Sequence, residues 1–308
     1  MRISLFIEKY FWVFFIAGLL LGLIAPVYND FLMTLLKPLL MIMLFLIFLK
    51  TDVSQIFISM KNYRQMTFLA LSYMVVTPLL FFFVIKTFDP ILAIGVLLLV
   101  AMPPAVASPA LTDIVKGDIA LSTSIVIITS IVAPLTVPFL FWIIQFDGLS
   151  VNPLWLLKDL AMIIIIPVIA SQLIKKRASQ FVERKEHILT SVNIFILSFM
   201  VYIAMGSQRD VILNDFTGIL WDTFVLYVVF ILLHFIGHLM GFKEDRKGKI
   251  AITIGSAYKN NGMAIVLAAL YFEPAILVLM VLSELPWNTL LIPYRKVIQY
   301  RQQKRDNK

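Results

Sequence analysis

Residues 255–272 read GSAYKNNGMAIVLAALYF and place a lysine, Lys259, inside a long apolar run. A helix that crosses the hydrocarbon core of a membrane needs about 20 predominantly apolar residues. Asn260, Asn261 and Gly262 follow the lysine, and these residue types tolerate an unwound backbone. The stretch therefore predicts a membrane helix that is interrupted at mid-span and carries a buried cation at the interruption.

The composition of the whole chain is that of an integral membrane protein. Of its 308 residues, 61% are hydrophobic and 14% are charged, whereas soluble domains have about half and about a quarter. The absence of cysteine excludes disulfides and thiolate metal sites. No small-residue cleavage site follows the first apolar run, so we expect no cleaved signal peptide.

Apolar runs along the chain predict ten membrane spans in an all-α polytopic protein. They lie at about 9–28, 31–50, 65–87, 90–116, 119–145, 151–174, 188–206, 217–241, 249–272 and 274–294. Between the second and third spans, residues 51–64 predict an amphipathic helix at the membrane surface.

The distribution of lysine and arginine predicts the orientation of these spans. Only Lys86, Lys158 and Arg209 fall on the face opposite to the two termini, and most of the 26 basic residues fall on the same face as the termini. Because basic residues favour the cytoplasmic side, we expect both termini to lie in the cytoplasm. We expect the protein itself to lie in the inner membrane. The net charge of +8, to which a basic tail at 295–308 contributes, then reflects the topology of the spans. We therefore expect no nucleic-acid partner.

Ten spans divide into two halves of five that enter the membrane from opposite sides, which is the geometry of an inverted repeat. Repeat 1 would cover about 1–147 and repeat 2 about 151–296 of a single transmembrane transporter domain. The fourth span contains MPP at 102–104, and the ninth contains NNG at 260–262. Interrupted segments at matching positions indicate a transporter binding site, and an ordinary proline kink is the alternative.

Four ionisable residues within the spans stand out as candidates for function. Lys37 is near the outer end of its span, and we expect its amino group to reach the membrane surface. Asp113 and Glu284 are both possible charge partners of Lys259, and the sequence does not choose between them. A structural ion pair or a hydrated lysine is the alternative to a functional role. Because burial penalises the charged form, Lys259 could also lose and regain a proton during transport.

The eighth span contains two histidines, His234 and His238, at a spacing that can chelate a metal. No third ligand accompanies them, so we expect a hydrogen-bonded pair and no metal. The sequence contains no nucleophile elbow, glycine-rich phosphate loop or zinc-protease motif. We therefore expect neither an enzyme nor a cofactor.

Residues 103–142 carry the motif on which a family resemblance rests. They contain A-S-x-x-x-T-x-x-x-K-G-D-x-A-L-S-x-S, followed by A-P-L-x-x-P-x-L. This pattern resembles the bile acid:sodium symporter family. The run K-N-N-G-M-A-x-x-L-A from Lys259 is similar to that family's Q-N-x-G-L-A-x-x-L-A, and Tyr73 with Pro78 fits its Q-x-x-x-x-P.

The resemblance implies a panel of spans 1, 2, 6 and 7 and a core of spans 3–5 and 8–10, in which the broken spans 4 and 9 cross. It also implies transport of organic anions by alternating access, with two sodium ions near the crossing. The substrate- and ion-binding positions that it implies there are Tyr73, Ser108, Pro109, Thr112, Ser122, Lys259, Asn260, Asn261 and Gly262.

Several of the family's sodium ligands are absent from this chain. Gly255 stands where the family has an acidic residue, and Lys259 and Tyr73 stand where it has glutamines. Pro109 stands where the family has an asparagine, and Val126 where it has a threonine. Ser108 and Ser122 remain. Hard cations need oxygen ligands, and an ammonium in their place should repel sodium.

We therefore expect the ammonium of Lys259 to take the place of bound sodium. The protein would then be a sodium-independent carrier of a small organic anion, and it would work as a proton-coupled carrier, an exchanger or a uniporter. Its partners would be the anion, the lipid bilayer and, in the coupled form, protons. A sodium-coupled symporter of organic anions or bile acids, a channel, and a non-transporting sensor on a transporter fold are alternatives. The short tail after Tyr294 disfavours the sensor. Arsenite permeases, a related ten-span family, use a span 4 cysteine and a span 9 acid that this chain lacks.

Overall fold

A computed structural model describes residues 10–27, 30–50, 63–144 and 153–306, and within these ranges every regular element is a helix. The predicted surface helix at 51–64 falls almost wholly outside them. The helices of the first half are α1 (Phe11–Ile24), α2 (Asp30–Lys50), α3 (Tyr63–Ile85), α4 (Pro90–Ala101), α5 (Ser108–Ile114) and α6 (Ile119–Ile144).

The second half begins with one long helix, Pro153–Ser207, whose backbone leaves helical geometry at Ala178. Its two apolar arms are α7 (Leu157–Val182) and α8 (Arg184–Ser207). The basic segment between the two predicted spans is therefore helical except at Ala178. The remaining helices are α9 (Arg209–Asn214), α10 (Phe216–Met240), α11 (Arg246–Ala257), α12 (Asn261–Tyr271), α13 (Pro274–Leu282), α14 (Glu284–Thr289) and α15 (Leu291–Asp306).

Seven stretches of the described chain are long and apolar enough to cross a membrane, so the prediction of a multi-pass helical membrane protein is confirmed. They coincide with predicted spans 2, 3, 5, 6, 7, 8 and 10. Predicted spans 1, 4 and 9 contain shorter apolar helices, at Val13–Ile24, Pro90–Ala101 and Asn261–Tyr271. The last two are short because each belongs to a segment that is interrupted.

Aspartate side chains cap the first turns of α4, α10 and α11. The side chains of Asp89, Asp215 and Asp245 accept hydrogen bonds from backbone N–H groups in the first turns of α4, α10 and α11. A helix leaves its first N–H groups without intrahelical partners, and a capping carboxylate satisfies one of them. The caps therefore fix where these helices begin at the ends of the bundle.

The KGD sequence at 116–118 forms the turn between α5 and α6. Lys116 has a φ of 61°, the left-handed region that closes a helix. A Cβ on Gly117 would lie 2.6 Å from side-chain carbons of Thr112 and Ile250, so only glycine fits. Asp118 caps α6 through Leu121 N–H. The motif is therefore a packed helix-to-helix turn.

The helices pack in two groups. Helices α1 and α2 both pack against the α7–α8 hairpin, and the second group contains α3–α6 and α10–α14. In the first group, Gly18 and Gly22 of α1 face α8: a Cβ on Gly18 would lie 2.4 Å from the Ser198 carbonyl oxygen, and one on Gly22 2.7 Å from that of Tyr202. Small residues four apart allow such close approach of membrane helices.

Gly18→Leu should therefore separate α1 from α8. We expect the free energy of unfolding in detergent to fall by about 1–3 kcal/mol, the range for overpacking a well-packed interface. Leu20→Ala is the matched control, because Leu20 is 47% exposed on the same helix. Equal stability of Gly18→Leu and the wild-type chain would contradict this packing.

Candidate functional site

The two interrupted segments cross at their breaks. The first break lies between α4 and α5, at 102–107, and the second lies between α11 and α12, at 258–260. An antiparallel bridge pairs Pro104 with Lys259. The broken helices predicted from 102–104 and 260–262 are thus observed as two pairs of half-helices whose ends meet.

Backbone hydrogen bonds close this crossing. Ala105 N–H donates to the Tyr258 carbonyl at 2.7 Å, and Asn260 N–H donates to the Pro103 carbonyl at 2.9 Å. The side chain of Asn260 caps α12 by accepting from Met263 N–H. Peptide groups at membrane depth must be satisfied within the protein, and these bonds satisfy four of them.

Lys259 is buried at the crossing, with an exposed fraction of 1%. Its ammonium lies 5.1 Å from the centroid of the Tyr73 ring, a cation–π distance. Among the described residues, the ammonium has no hydrogen-bond partner. Tyr73 is itself fully buried in a π-helical turn of α3, Ser72–Val76, and its hydroxyl donates to the Ile252 carbonyl at 2.6 Å. The aromatic ring is therefore held rigidly beneath the charge.

Gly255 makes room for this tyrosine. A Cβ at Gly255 would lie 3.4 Å from the Tyr73 ring and 3.3 Å from the Ile125 side chain. A Cβ there is already in close contact with both side chains, so the acidic side chain that the family resemblance places at this position would require Tyr73 or Ile125 to shift. The residues at 73 and 255 are thus sterically linked.

The hydroxyl groups that remain from the implied sodium site lie behind the crossing. Ser108, Thr112 and Ser122 are all buried, and Thr112 Oγ1 donates to Ser122 Oγ at 3.1 Å. The Ser108 hydroxyl has no partner in the described ranges. Pro109, in the first turn of α5, has no N–H to donate.

A cavity of about 510 Å³ lies between the two helix groups, beside the crossing. Lys259, Asn260, Asn261 and Gly262 line it on one side. Glu284, Trp287 and Asn288 adjoin them, and apolar residues of the other group, including Phe15, Met43 and Leu197, face them. The predicted positions Tyr73, Ser108, Pro109, Thr112 and Ser122 do not line it. Apart from Thr190 and Ser198, the residues of the other group that line the cavity are apolar, so most of its polar side chains lie on the side of the crossing.

Neither predicted charge partner forms an ion pair with Lys259 within the described structure. Asp113 is exposed. Glu284 is buried and lines the same cavity as Lys259, and its carboxylate accepts from Asn288 Nδ2 at 3.0 Å. Its oxygens do not come within the 4.0 Å of an ion pair with the ammonium. Lys259 is therefore a buried cation without a protein counter-ion among the described residues.

Lys37 forms an ion pair of 2.7 Å with Asp159. The Tyr271 hydroxyl also donates to Asp159. This network joins α2 and α7 of one group to α12 of the other. Asp159 lies two turns into a predicted span, and its local sequence does not show that it pairs with Lys37.

The two histidines of α10 do not bond to each other, contrary to the prediction. His234 bonds to the Phe230 carbonyl and to the Tyr258 hydroxyl. His238 bonds to Arg301 of α15. The described residues contain no cluster of three potential metal ligands. The pair therefore joins α10 to two different neighbours.

Comparisons with known proteins add the following. A family model described as "Sodium Bile acid symporter family" matches residues 37–215, which include the α4–α6 motif but not Lys259. The "Uncharacterized sodium-dependent transporter YocS" of Bacillus subtilis (strain 168) is 29% identical over 189 residues, or 59% of this chain and 57% of the relative.

A second relative is the "Probable sodium/metabolite cotransporter BASS1, chloroplastic" of Arabidopsis thaliana. It is 23% identical over 200 residues, which cover 64% of this chain and 49% of the relative. The chain thus spans about half the length of the curated relatives it matches. Both names are those of transporters.

The contact between Lys259 and the Tyr73 ring can be measured by a double-mutant cycle. We expect Lys259→Met and Tyr73→Leu to show a coupling of about 0.5–2 kcal/mol in the free energy of unfolding, the magnitude of a cation–π pair. Tyr73→Phe is the matched control, since it keeps the ring and removes only the bond to Ile252. Strict additivity of the Lys259→Met and Tyr73→Leu effects would contradict the pairing.

Proposed function

The chain belongs to the sodium bile acid symporter family. We propose that it is a secondary transporter of a small organic anion, and that this transporter works by alternating access without bound sodium. The observation that carries the proposal is Lys259, which lines the cavity and whose ammonium is buried without a protein counter-ion among the described residues. A charge at membrane depth needs compensation. An anion that enters the cavity supplies it.

The proposed architecture is ten spans arranged as two inverted repeats, with both termini in the cytoplasm and the protein in the inner membrane. In this scheme α1, α2, α7 and α8 form the panel, and the other spans form the core. The two observed packing groups and the two matched breaks support it. Since the cavity lies between the groups, movement of one group against the other would expose the crossing to either side of the membrane.

Lys259 takes the place of sodium in this proposal. Its ammonium supplies one fixed positive charge where the breaks meet, and the Tyr73 ring fills space that the family resemblance assigns to oxygen ligands. With Gly255 in place of an acid, position 255 supplies no carboxylate to hold a second cation. The N-terminus of α12 begins beside Lys259 and adds the positive end of a helix dipole to the same wall.

Three modes of transport fit a fixed charge at the crossing: proton coupling, exchange and uniport. In the coupled form, the ammonium would carry its proton while the anion is bound and release it when the cavity is empty, because burial penalises an uncompensated charge. In the other two forms the lysine stays charged. Flux in vesicles with and without a pH gradient separates the first mode from the others.

The second candidate is a sodium-coupled symporter of organic anions. It is favoured by the names of the two relatives, which are a sodium-dependent transporter and a sodium/metabolite cotransporter. The buried hydroxyls of Ser108, Thr112 and Ser122 are the oxygen atoms that would remain for sodium. The presence of Lys259, which would repel the ion, argues against this candidate.

Sodium should leave the stability of the purified protein unchanged. We expect the same melting temperature in sodium, potassium and choline salts at equal ionic strength. A cation that binds the folded state at 100 times its dissociation constant would stabilise it by about 2.7 kcal/mol. Saturable, sodium-specific stabilisation of the wild-type chain would contradict the proposal and favour the sodium-coupled candidate.

Lys259→Gln should abolish anion transport. We expect the uptake of radiolabelled carboxylates, from lactate to cholate in size, to fall at least about tenfold in vesicles, since a lost charge contact costs at least about 1.4 kcal/mol. Lys86→Gln is the matched control, because Lys86 is an exposed lysine at the end of α3. Sodium-stimulated uptake that survives unchanged in Lys259→Gln would contradict the role of this lysine.

A further inference from the structure

A hydrogen bond between side chains joins the two helix groups at the end of α12. The hydroxyl of Tyr271, the last residue of α12, donates to the Asp159 carboxylate of α7. The bond of Gln172 to the Phe48 carbonyl, by contrast, joins two helices of the first group. Among the side chains that the structure describes, no other hydrogen bond or ion pair crosses from one group to the other.

Lys37 holds the Asp159 carboxylate in place from within the first group. Its ammonium lies 2.7 Å from Asp159 Oδ2, and the Asp159 side chain is 19% exposed. A hydrogen bond to an ionised acceptor is stronger than a bond between neutral groups. Asp159 therefore presents a fixed and charged acceptor to the tyrosine of the other group.

The carboxylate lies at one end of the first group, away from the cavity. Helices α2 and α7 run side by side in the same direction, because Lys37 meets Asp159 and, further along both helices, Phe48 meets Gln172. The cavity is lined in α2 by Ile47, next to Phe48. At about 1.5 Å per residue, Ile47 lies about 15 Å along the helix axis from Lys37.

The second group shows the same separation. Helix α12 begins at Asn261, which lines the cavity, and ends at Tyr271, about 15 Å further along its axis. On the other side of the crossing the cavity extends along α5, where Ala110 and Ile114 line it. The hydroxyl of Tyr271 thus meets its acceptor beyond the crossing, at the end where neither of these two residues lines the cavity.

We propose that Tyr271 and Asp159 form a gate that closes the crossing on the side away from the cavity. Exposure of the crossing to that side requires the end of α12 to move away from α7, so the bond must break once in each transport cycle. Asp159 then keeps Lys37 as its partner, and the open gate leaves no unpaired charge behind. The inference rests on the proposed function, because a gate presupposes a carrier that opens to both sides.

The absence of cysteine from the sequence makes the gate measurable without a substrate. A single introduced cysteine is the only thiol that a reagent can modify. Ala107 is exposed and lines the cavity at the first break, so Ala107→Cys reports access to the crossing. A membrane-impermeant methanethiosulfonate is applied to cells and to inside-out vesicles, and thus to one face at a time. Two further single variants, Glu273→Cys and Ser179→Cys, identify the faces, because both residues are exposed at opposite ends of the bundle.

Tyr271→Phe should open the gate, because it removes only the hydroxyl. We expect the modification of Ala107→Cys from the Glu273 face to become at least about tenfold faster, since a hydrogen bond to a charged group changes an equilibrium by at least about that factor. Asp159→Asn should act in the same direction by a smaller factor, because its amide oxygen can still accept the bond.

Tyr227→Phe is the matched control. The hydroxyls of Tyr227 and Thr289 bond at 2.9 Å, and both residues belong to the second group. The loss of this bond removes the same chemical group without affecting the boundary between the groups. We therefore expect Tyr227→Phe to leave the modification of Ala107→Cys from either face unchanged.

The rate from the Ser179 face separates a gate from a general loosening of the structure. Opening of the gate should not raise that rate in Tyr271→Phe, whereas partial unfolding would raise the rates from both faces. A rise from both faces would therefore overturn the inference. A rise from the Glu273 face alone supports it.

Two further outcomes distinguish this inference from the proposed function. If Tyr271→Phe leaves the rate from the Glu273 face unchanged, the gate is wrong and the proposed anion transporter stands, since uptake measures it independently. If Ala107→Cys reacts equally fast from both faces in the otherwise unaltered chain, the crossing is open to both sides at once. The protein would then be a channel, and both proposals would be wrong.

Discussion

A peptide group at membrane depth has no water to bond, and this constraint governs the centre of the structure. Both interrupted segments expose backbone groups at their breaks, and neither could persist alone in lipid. They satisfy each other through the bonds of Ala105 to Tyr258 and Asn260 to Pro103. The ends of the half-helices meet as a result, and Lys259 lies at that point.

The sequence predicts the features that depend on local chemistry. Apolar runs predict the membrane-crossing helices, because a span needs about 20 apolar residues, and this requirement does not depend on its neighbours. Proline at 103–104 and asparagine at 260–261 gave the two breaks, because these residue types disfavour a continuous helix. Lys259 was found in the same way, since a charge in an apolar run is conspicuous. The family motif at 103–142 then agreed with the match over 37–215.

The features that depend on contacts between distant segments could not be predicted. The partner of Lys37 is Asp159, more than one hundred residues away, and nothing in either local sequence identifies the other. The spacing of His234 and His238 shows that they share a helix face, but it does not show that Tyr258 and Arg301 lie opposite that face. The cation–π contact of Lys259 needed the position of Tyr73, which a separate helix supplies.

The bonds that close the crossing join main-chain atoms, so they hold whatever side chains the surrounding positions carry. The charge at the crossing is therefore free to be a dissolved ion in one protein and a covalent part of the chain in another. A dissolved ion has a dissociation constant, and its occupancy falls as the medium is diluted. The amino group of a lysine is bound covalently, so at this crossing it is present at one copy per chain in fresh water and in brine alike.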